Sequence, residues 1–351
     1  MNEYLYNMQT IKIKDTILLK NNHKYRMGWK FNCSKKLINL ASSDKSTDLN
    51  LYVDSNTLLE NNDSNNFSNL QKFKKNKTDK YNIYEKYPEF FPELVEQGNM
   101  DSCVPTCLST IFYYNSFKQG NYLNFRISRL FLYYNARELY QEISDDNGAR
   151  IIDCIKILKK IGSPPEMAHP YNEKFIYKKP NNLSFKLAKY CKLLGFKELQ
   201  RNEIKKNLLL NYPVICGIKV YDNFNNEKTI KTGKVLLPEN NDEIIGGHSI
   251  IIVGYDDNKQ KYTFINSWGK SWGNDGFGYI PYDYINNVDL ADEFFILTQI
   301  TNPFIDFMYI NNELLCNKEL RKIINLKESK KSVVLIKILL LSILIIINDI
   351  N

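Results

Sequence analysis

The spacing of apolar residues changes once along this chain, and that change restricts the fold more than any other feature. From about residue 103 to 210 the apolar positions recur at helical spacing. Cys103 to Tyr114 carries Cys107, Leu108, Ile111 and Phe112 in register, and Ala149 to Ile161 carries Ile151, Ile155 and Leu158 on one stripe. Ser128–Ile143, Leu183–Leu194 and Asn202–Leu210 continue the helical run. Beyond it, Tyr212–Tyr221, His248–Asp256, Lys261–Ser267, Gly276–Ile280 and Glu293–Ile300 are short β-branched and aromatic runs bounded by Gly, Asn and Asp. Helices first and antiparallel strands second predict an α+β fold of two lobes with a cleft where they meet.

The 351 residues suit one large domain with extensions. Residues 1–80 read as an N-terminal extension. Ser55 to Asn69 is rich in Asn, Ser and Asp, and Lys72 to Lys80 is basic, a composition that buries too little apolar surface to order itself. Weak patterns at Ile11–Leu19 and Tyr25–Trp29 precede this linker. The central domain spans 81–300, and 301–331 is a basic connector. Residues 332–348 are nearly all Leu, Ile and Val, broken by Lys337 and Ser342 and preceded by Lys327, Lys330 and Lys331. They predict a single-pass C-terminal membrane anchor that keeps the main domain on the cytoplasmic side; a soluble cytoplasmic chain is the alternative.

The net charge of +8 comes from scattered lysines without an arginine-rich stripe, which argues against a nucleic-acid partner. Seven cysteines at irregular spacing include no CxxC pair, so neither a zinc site nor a disulfide framework is expected. Met1 to Lys20 has no apolar stretch of the secretory kind, which favours a reducing compartment. Oligomeric state leaves no trace in the sequence.

Three blocks carry chemistry. In Gln97-Gly-Asn-Met-Asp-Ser-Cys103, the cysteine opens a helix whose dipole favours thiolate, and Pro105 suits a first helical turn. The Gln97 side-chain amide and the Cys103 backbone N–H are candidate oxyanion donors. Taken alone, such a cysteine reads more readily as a small buried residue. In Gly246-Gly247-His248, the histidine enters an apolar strand after two glycines that permit close approach of another backbone. His23 lies in the extension and His169 precedes Pro170, so His248 is the base suited to Cys103. In Asn266-Ser-Trp-Gly-Lys-Ser-Trp-Gly-Asn-Asp-Gly-Phe277, Asn266 at a strand end is placed to hold the imidazole. Trp268 would shield that bond.

Cys103 and His248 are separated by the interval usual for papain-like pairs, about 130–150 residues. The Asn-Ser-Trp-Gly-x-x-Trp-Gly-x-x-Gly-Phe run, the Gly-Gly-His strand and the Gln-Gly-(four residues)-Cys block together resemble the papain family of cysteine peptidases over roughly Tyr84 to Ile300. Ser128-Arg-Leu-Phe-Leu-Tyr-Tyr-Asn135 and Gly148-x-x-Ile151 resemble its microbial and viral branch. The resemblance implies a helical left lobe and an antiparallel β-barrel right lobe. It also implies cysteine-type endopeptidase activity on polypeptides without metal or organic cofactor, through a Cys103–His248 thiolate–imidazolium pair. Asn266 would orient the base, Gln97 would form the oxyanion hole, and Ser102 and Trp268 would support them. Gly148 and Gly247 would line the substrate groove.

Departures from the pattern motivate a second reading, a catalytically inactive papain-like protein that binds peptides. Met100 stands where a disulfide cysteine is common. Asp101 stands beside the nucleophile, where its charge opposes a thiolate unless it turns to solvent. Val104 replaces a tryptophan. The extension is further expected to occlude the groove. For the tail, carbonate extraction of membranes checks the anchor: the full chain should pellet and a chain ending at residue 331 should not, and two soluble forms would remove it.

Overall fold

Residue 103 begins a helix because the chain there loses its turn residues and gains a proline at a position that needs no amide donor. The computed structural model describes residues 26–30, 78–123 and 125–302. The segments Ile11–Leu19 and Ser55–Asn69, together with the apolar run 332–348, lie outside the described residues.

In chain order the elements are β1 (Lys80–Asn82), α1 (Ile83–Lys86), α2 (Cys103–Lys118), α3 (Arg129–Glu138), α4 (Ile151–Lys160), α5 (Asn182–Ala188) and β2 (Leu193–Glu198). Then follow α6 (Ile204–Leu209), β3 (Val214–Tyr221), α7 (Glu227–Thr232), β4 (Ile244–Asp256), β5 (Lys261–Ile265), β6 (Phe277–Pro281), α8 (Tyr282–Asn286) and β7 (Ala291–Ile300). Among the described residues no helix is long and apolar enough to cross a membrane.

Helix α2, 16 residues long, is buried at every position from Cys103 to Phe112. It has no polar face because it is covered by α3 and α4 on one side and by β4 and β7 on the other. Polar side chains tie it to the sheet: Cys107 Sγ donates to the Ser249 carbonyl (3.4 Å), and Asn115 Nδ2 to that of Leu297 (2.8 Å). Gln119 exchanges two hydrogen bonds with the Ile300 backbone. Helix α3 starts one residue later than its apolar pattern because Ser128 caps it, accepting the Phe131 N–H at 3.1 Å. The residues Leu193–Glu198, read partly as helix, form strand β2 instead. Their backbone pairs with β7, and this tertiary partner outweighs local helix preference.

All pairings within the sheet are antiparallel, in the order β2-β7-β3-β4-β5-β6, with β1 on the same edge of β4 as β3. The 13-residue β4 therefore serves β3 over its first part and β1 over its last, and it begins four residues before His248, the expected start. The sheet is open, and this corrects the expectation of a barrel. The outer edge of β6 is taken by the loop after α7, through Tyr279 N–H to Gly233 O (2.7 Å) and Val235 N–H to Tyr279 O (2.9 Å). With that edge satisfied, β6 does not offer it to β2. Phe264 of β5 is fully buried against the Trp272 ring. Phe264→Ala should cost about 3–5 kcal/mol of stability, read by urea unfolding.

Candidate active site

The start of α2 meets β4 one residue past His248. The Ser249 backbone lies close to the Cys103 sulfur, and Cys107, one turn further, donates to the same residue's carbonyl. Cys103 and His248 are both fully buried.

The imidazole is oriented by Asn266 at the end of β5, with Nε2 at 2.8 Å from Asn266 Oδ1. That oxygen also accepts the Ser267 backbone N–H (2.8 Å), which identifies it as an acceptor. His248 Nε2 therefore carries the hydrogen, and Nδ1 holds a lone pair. Nδ1 is buried with no hydrogen-bond partner. The Trp268 ring lies 4.5 Å from the imidazole, centroid to centroid, and packs edge-on to Trp272. It walls the His248–Asn266 bond from water, which strengthens the bond.

Gln97 is held on three sides. Its backbone N–H donates to Ser267 O (2.8 Å), its Oε1 accepts from Ser267 Oγ (2.6 Å), and its Nε2 donates to Met100 O (2.8 Å). The second Nε2 hydrogen points into the cleft. Ser102 does not cap α2; its hydroxyl meets that of Tyr171, which donates to the Gln97 carbonyl at 2.7 Å.

The cleft is covered by residues 26–30. The Arg26 carbonyl accepts from Gln97 Nε2 (3.0 Å) and Trp268 Nε1 (3.1 Å). Trp29 N–H donates to Gly247 O (2.9 Å). Gly28 O accepts the Ala149 N–H (2.7 Å), and Lys30 N–H donates to Ala149 O (3.2 Å). Both glycines singled out for the groove are at these contacts. A Cβ at Gly148 would sit 2.1 Å from Gly28 O, and one at Gly247 would sit 2.2 Å from Trp29 O. The strap's side chains are also engaged. The Trp29 indole donates to buried Glu293 (2.6 Å), and the Arg26 guanidinium lies on Asp101 and Asp146.

Covering the cleft changes its ionisation. Burial pushes the Cys103 thiol well above its ordinary range, with Cys107 adding to the rise and the backbones of Ser249 and Gly28 opposing it. Burial likewise lowers His248 to about 4, against the hydrogen bond to Asn266. In the covered form Cys103 is thus a neutral thiol and His248 a neutral imidazole, rather than the expected ion pair. The Asp101 carboxylate does not turn to solvent but to Arg26. The described cysteines 103, 107, 154, 191 and 216 are all free.

A sequence profile described as papain family cysteine protease matches residues 140–298, a span that holds His248 and Asn266 and begins after Cys103. An uncharacterized peptidase C1-like protein of Acanthamoeba polyphaga mimivirus is 32% identical over 222 residues, 60% of this chain and 71% of the relative. This chain belongs to the papain family of cysteine proteases. Among solved structures it is similar to xylellain, a cysteine protease from Xylella fastidiosa, with TM-score 0.58 and 30% identity over 64% of this chain and 86% of that one. A procathepsin B from Trypanosoma congolense shares the fold at TM-score 0.52 and 17% identity, covering 65% of this chain and 80% of its own.

Spacing did not single out Asp146, Tyr133, Tyr171, Ser267 or Glu293, which all touch this papain-family site or its strap. Asp146 sits two residues before the groove glycine Gly148, a signal that was present. The weak pattern at Tyr25–Trp29 marked the strap. A Cβ at Gly28 would fall 1.8 Å from the Asp101 carbonyl oxygen, so Gly28→Val should dislodge the strap. Iodoacetamide should then alkylate Cys103 faster than in wild type, followed by mass spectrometry. Equal rates would show that the strap does not guard the sulfur.

Proposed function

We propose that this papain-family peptidase hydrolyses peptide bonds with Cys103 as nucleophile, His248 as base and acid, Asn266 as the orienting group and Gln97 as an oxyanion donor. The observation that carries the reading is the imidazole's fixed tautomer, which leaves the Nδ1 lone pair free in the cleft with the start of α2.

Once the strap leaves and water enters, desolvation no longer suppresses the charged pair, and the Cys103 proton passes to His248 Nδ1. The thiolate attacks the peptide carbonyl carbon. Its oxygen takes the place now held by the Arg26 carbonyl, accepting from Gln97 Nε2 and the Cys103 backbone N–H. His248 returns the proton to the leaving nitrogen as the C–N bond breaks, giving an acyl-enzyme thioester. Water then attacks the thioester, its proton going to His248, and the C–S bond breaks to release a carboxylic acid and restore the thiolate.

The covered cleft is a latent state on this reading. An inactive peptide-binding protein is the second reading. Its supports are Val104 and the Asp101 charge, which Arg26 offsets only while the strap is in place. Membrane attachment through residues 332–348, with the catalytic domain facing the cytoplasm, is proposed on composition alone.

Fluorogenic peptide hydrolysis by the full chain carrying Gly28→Val tests the assignment. Cys103→Ala should abolish turnover, and Gln97→Ala should lower kcat by about 10²–10³. Peptide binding without any product, unchanged by Cys103→Ala, would favour the silent binder.

A further inference from the structure

The two oxyanion donors come from different parts of the chain. Gln97 offers a side-chain amide from the loop before α2, and the Cys103 backbone N–H opens the helix itself, with a left-handed turn at Gly98 between them. One oxyanion bonds to both only if their separation is held, and a misplacement of about 1 Å costs on the order of 10² in rate.

One side chain reaches both. Tyr171, between α4 and α5, donates its single hydroxyl hydrogen to the Gln97 carbonyl (2.7 Å). Its oxygen is therefore the acceptor for the fully buried Ser102 hydroxyl, and Ser102 is the residue whose carbonyl carbon bears the Cys103 amide nitrogen. Burial pushes the Tyr171 hydroxyl up to about 12, against the Arg129 charge and the Ser102 bond, so it keeps its hydrogen at neutral pH. The ring is fixed in turn. The Arg129 guanidinium lies 3.6 Å from its centroid, grips both oxygens of Glu166 (2.8 and 2.9 Å) and donates to the Glu96 carbonyl (3.3 Å). The carbonyls of Glu96 and Gln97 are thus both drawn to this cluster, while Ser267 holds the Gln97 side chain and N–H.

We propose that Tyr171 is a positioning residue that holds the Gln97 amide and the Cys103 N–H at the separation one oxyanion requires, with Arg129 keeping its ring in place. The proposal rests on the peptidase reading above. Among the described residues Tyr171 makes no hydrogen bond to Cys103 or His248, so it acts on the two donors and not on the proton transfer between thiol and imidazole. Removing its hydroxyl takes a partner from the Ser102 hydroxyl and the Gln97 carbonyl in a buried place, and each then turns toward whatever other partner it can reach. The loop that carries Gln97 and the first turn of α2 lose their common anchor.

The test uses the full chain carrying Gly28→Val and a panel of peptidyl-coumarins, with kcat and KM taken on the peptide cleaved fastest. Tyr171→Phe, which keeps the ring over Arg129, should lower kcat about 10–100-fold and leave KM within about twofold. Alkylation of Cys103 by iodoacetamide should keep its rate, because sulfur displacing iodide from carbon builds no oxyanion. Ser102→Ala, which cuts only one half of the bridge, should lower kcat by a smaller factor of at least about threefold, and it carries the test should Tyr171→Phe not fold. Unchanged kcat, or alkylation slowed as much as hydrolysis, would overturn the role of Tyr171 and leave the peptidase reading standing. No turnover of any peptide by the Gly28→Val chain, with Cys103 open to alkylation, would overturn both.

Discussion

A helix with no face toward water must settle all its polar groups against its neighbours, and α2 does this against the backbone of the sheet. Cys107, Asn115 and Gln119 reach β4 and β7 along the length of the helix, so it can neither slide nor rotate without breaking these hydrogen bonds. That docking sets the start of the helix, and with it the Cys103 sulfur, at the backbone of Ser249. The chemistry of the cleft depends on this one registration. The sheet supplies His248 one residue away, and the end of β5 supplies Asn266 to hold it.

The helical half and the strand half were legible from apolar spacing because both depend on a periodic face meeting a core. The separated Cys103, His248 and Asn266 blocks were legible because few other residues of the right kind stand at strand or helix ends. What sequence could not supply was determined by partners distant in the chain. Leu193–Glu198 became a strand because β7 offered it an edge, and the sheet stayed open because the loop after α7 occupied the edge of β6. Asp146 and Tyr133 gave no periodic signal, since their roles arise from a hydrogen-bond relay through Gly148 rather than from a face. The strap left only the weak pattern at Tyr25–Trp29, because much of its hold comes from carbonyls and amides of the cleft, and backbone contacts leave little mark on side-chain composition.

The charge states of Cys103 and His248 follow from the cover rather than from the two groups themselves. Helix placement favours a thiolate at Cys103, but full burial outweighs the dipole and keeps the thiol protonated, just as it strips the proton from His248. The same cover supplies Arg26 to the two carboxylates, so the acidic groups and the buried thiol are held by neighbouring residues of one segment. Removing that segment would change the electrostatics of the cleft at both places together.

Arg26 to Lys30 is joined covalently to the domain it covers, through residues 31–77. Occupancy of the cleft is therefore an intramolecular equilibrium, governed by an effective concentration that the connecting chain sets and that dilution leaves untouched. A molecule alone in a large volume would stay as covered as one in a crowded solution. A competing peptide would have to outbid a tethered rival, and a cut anywhere in the connection would turn that rival into an ordinary ligand, free to diffuse away.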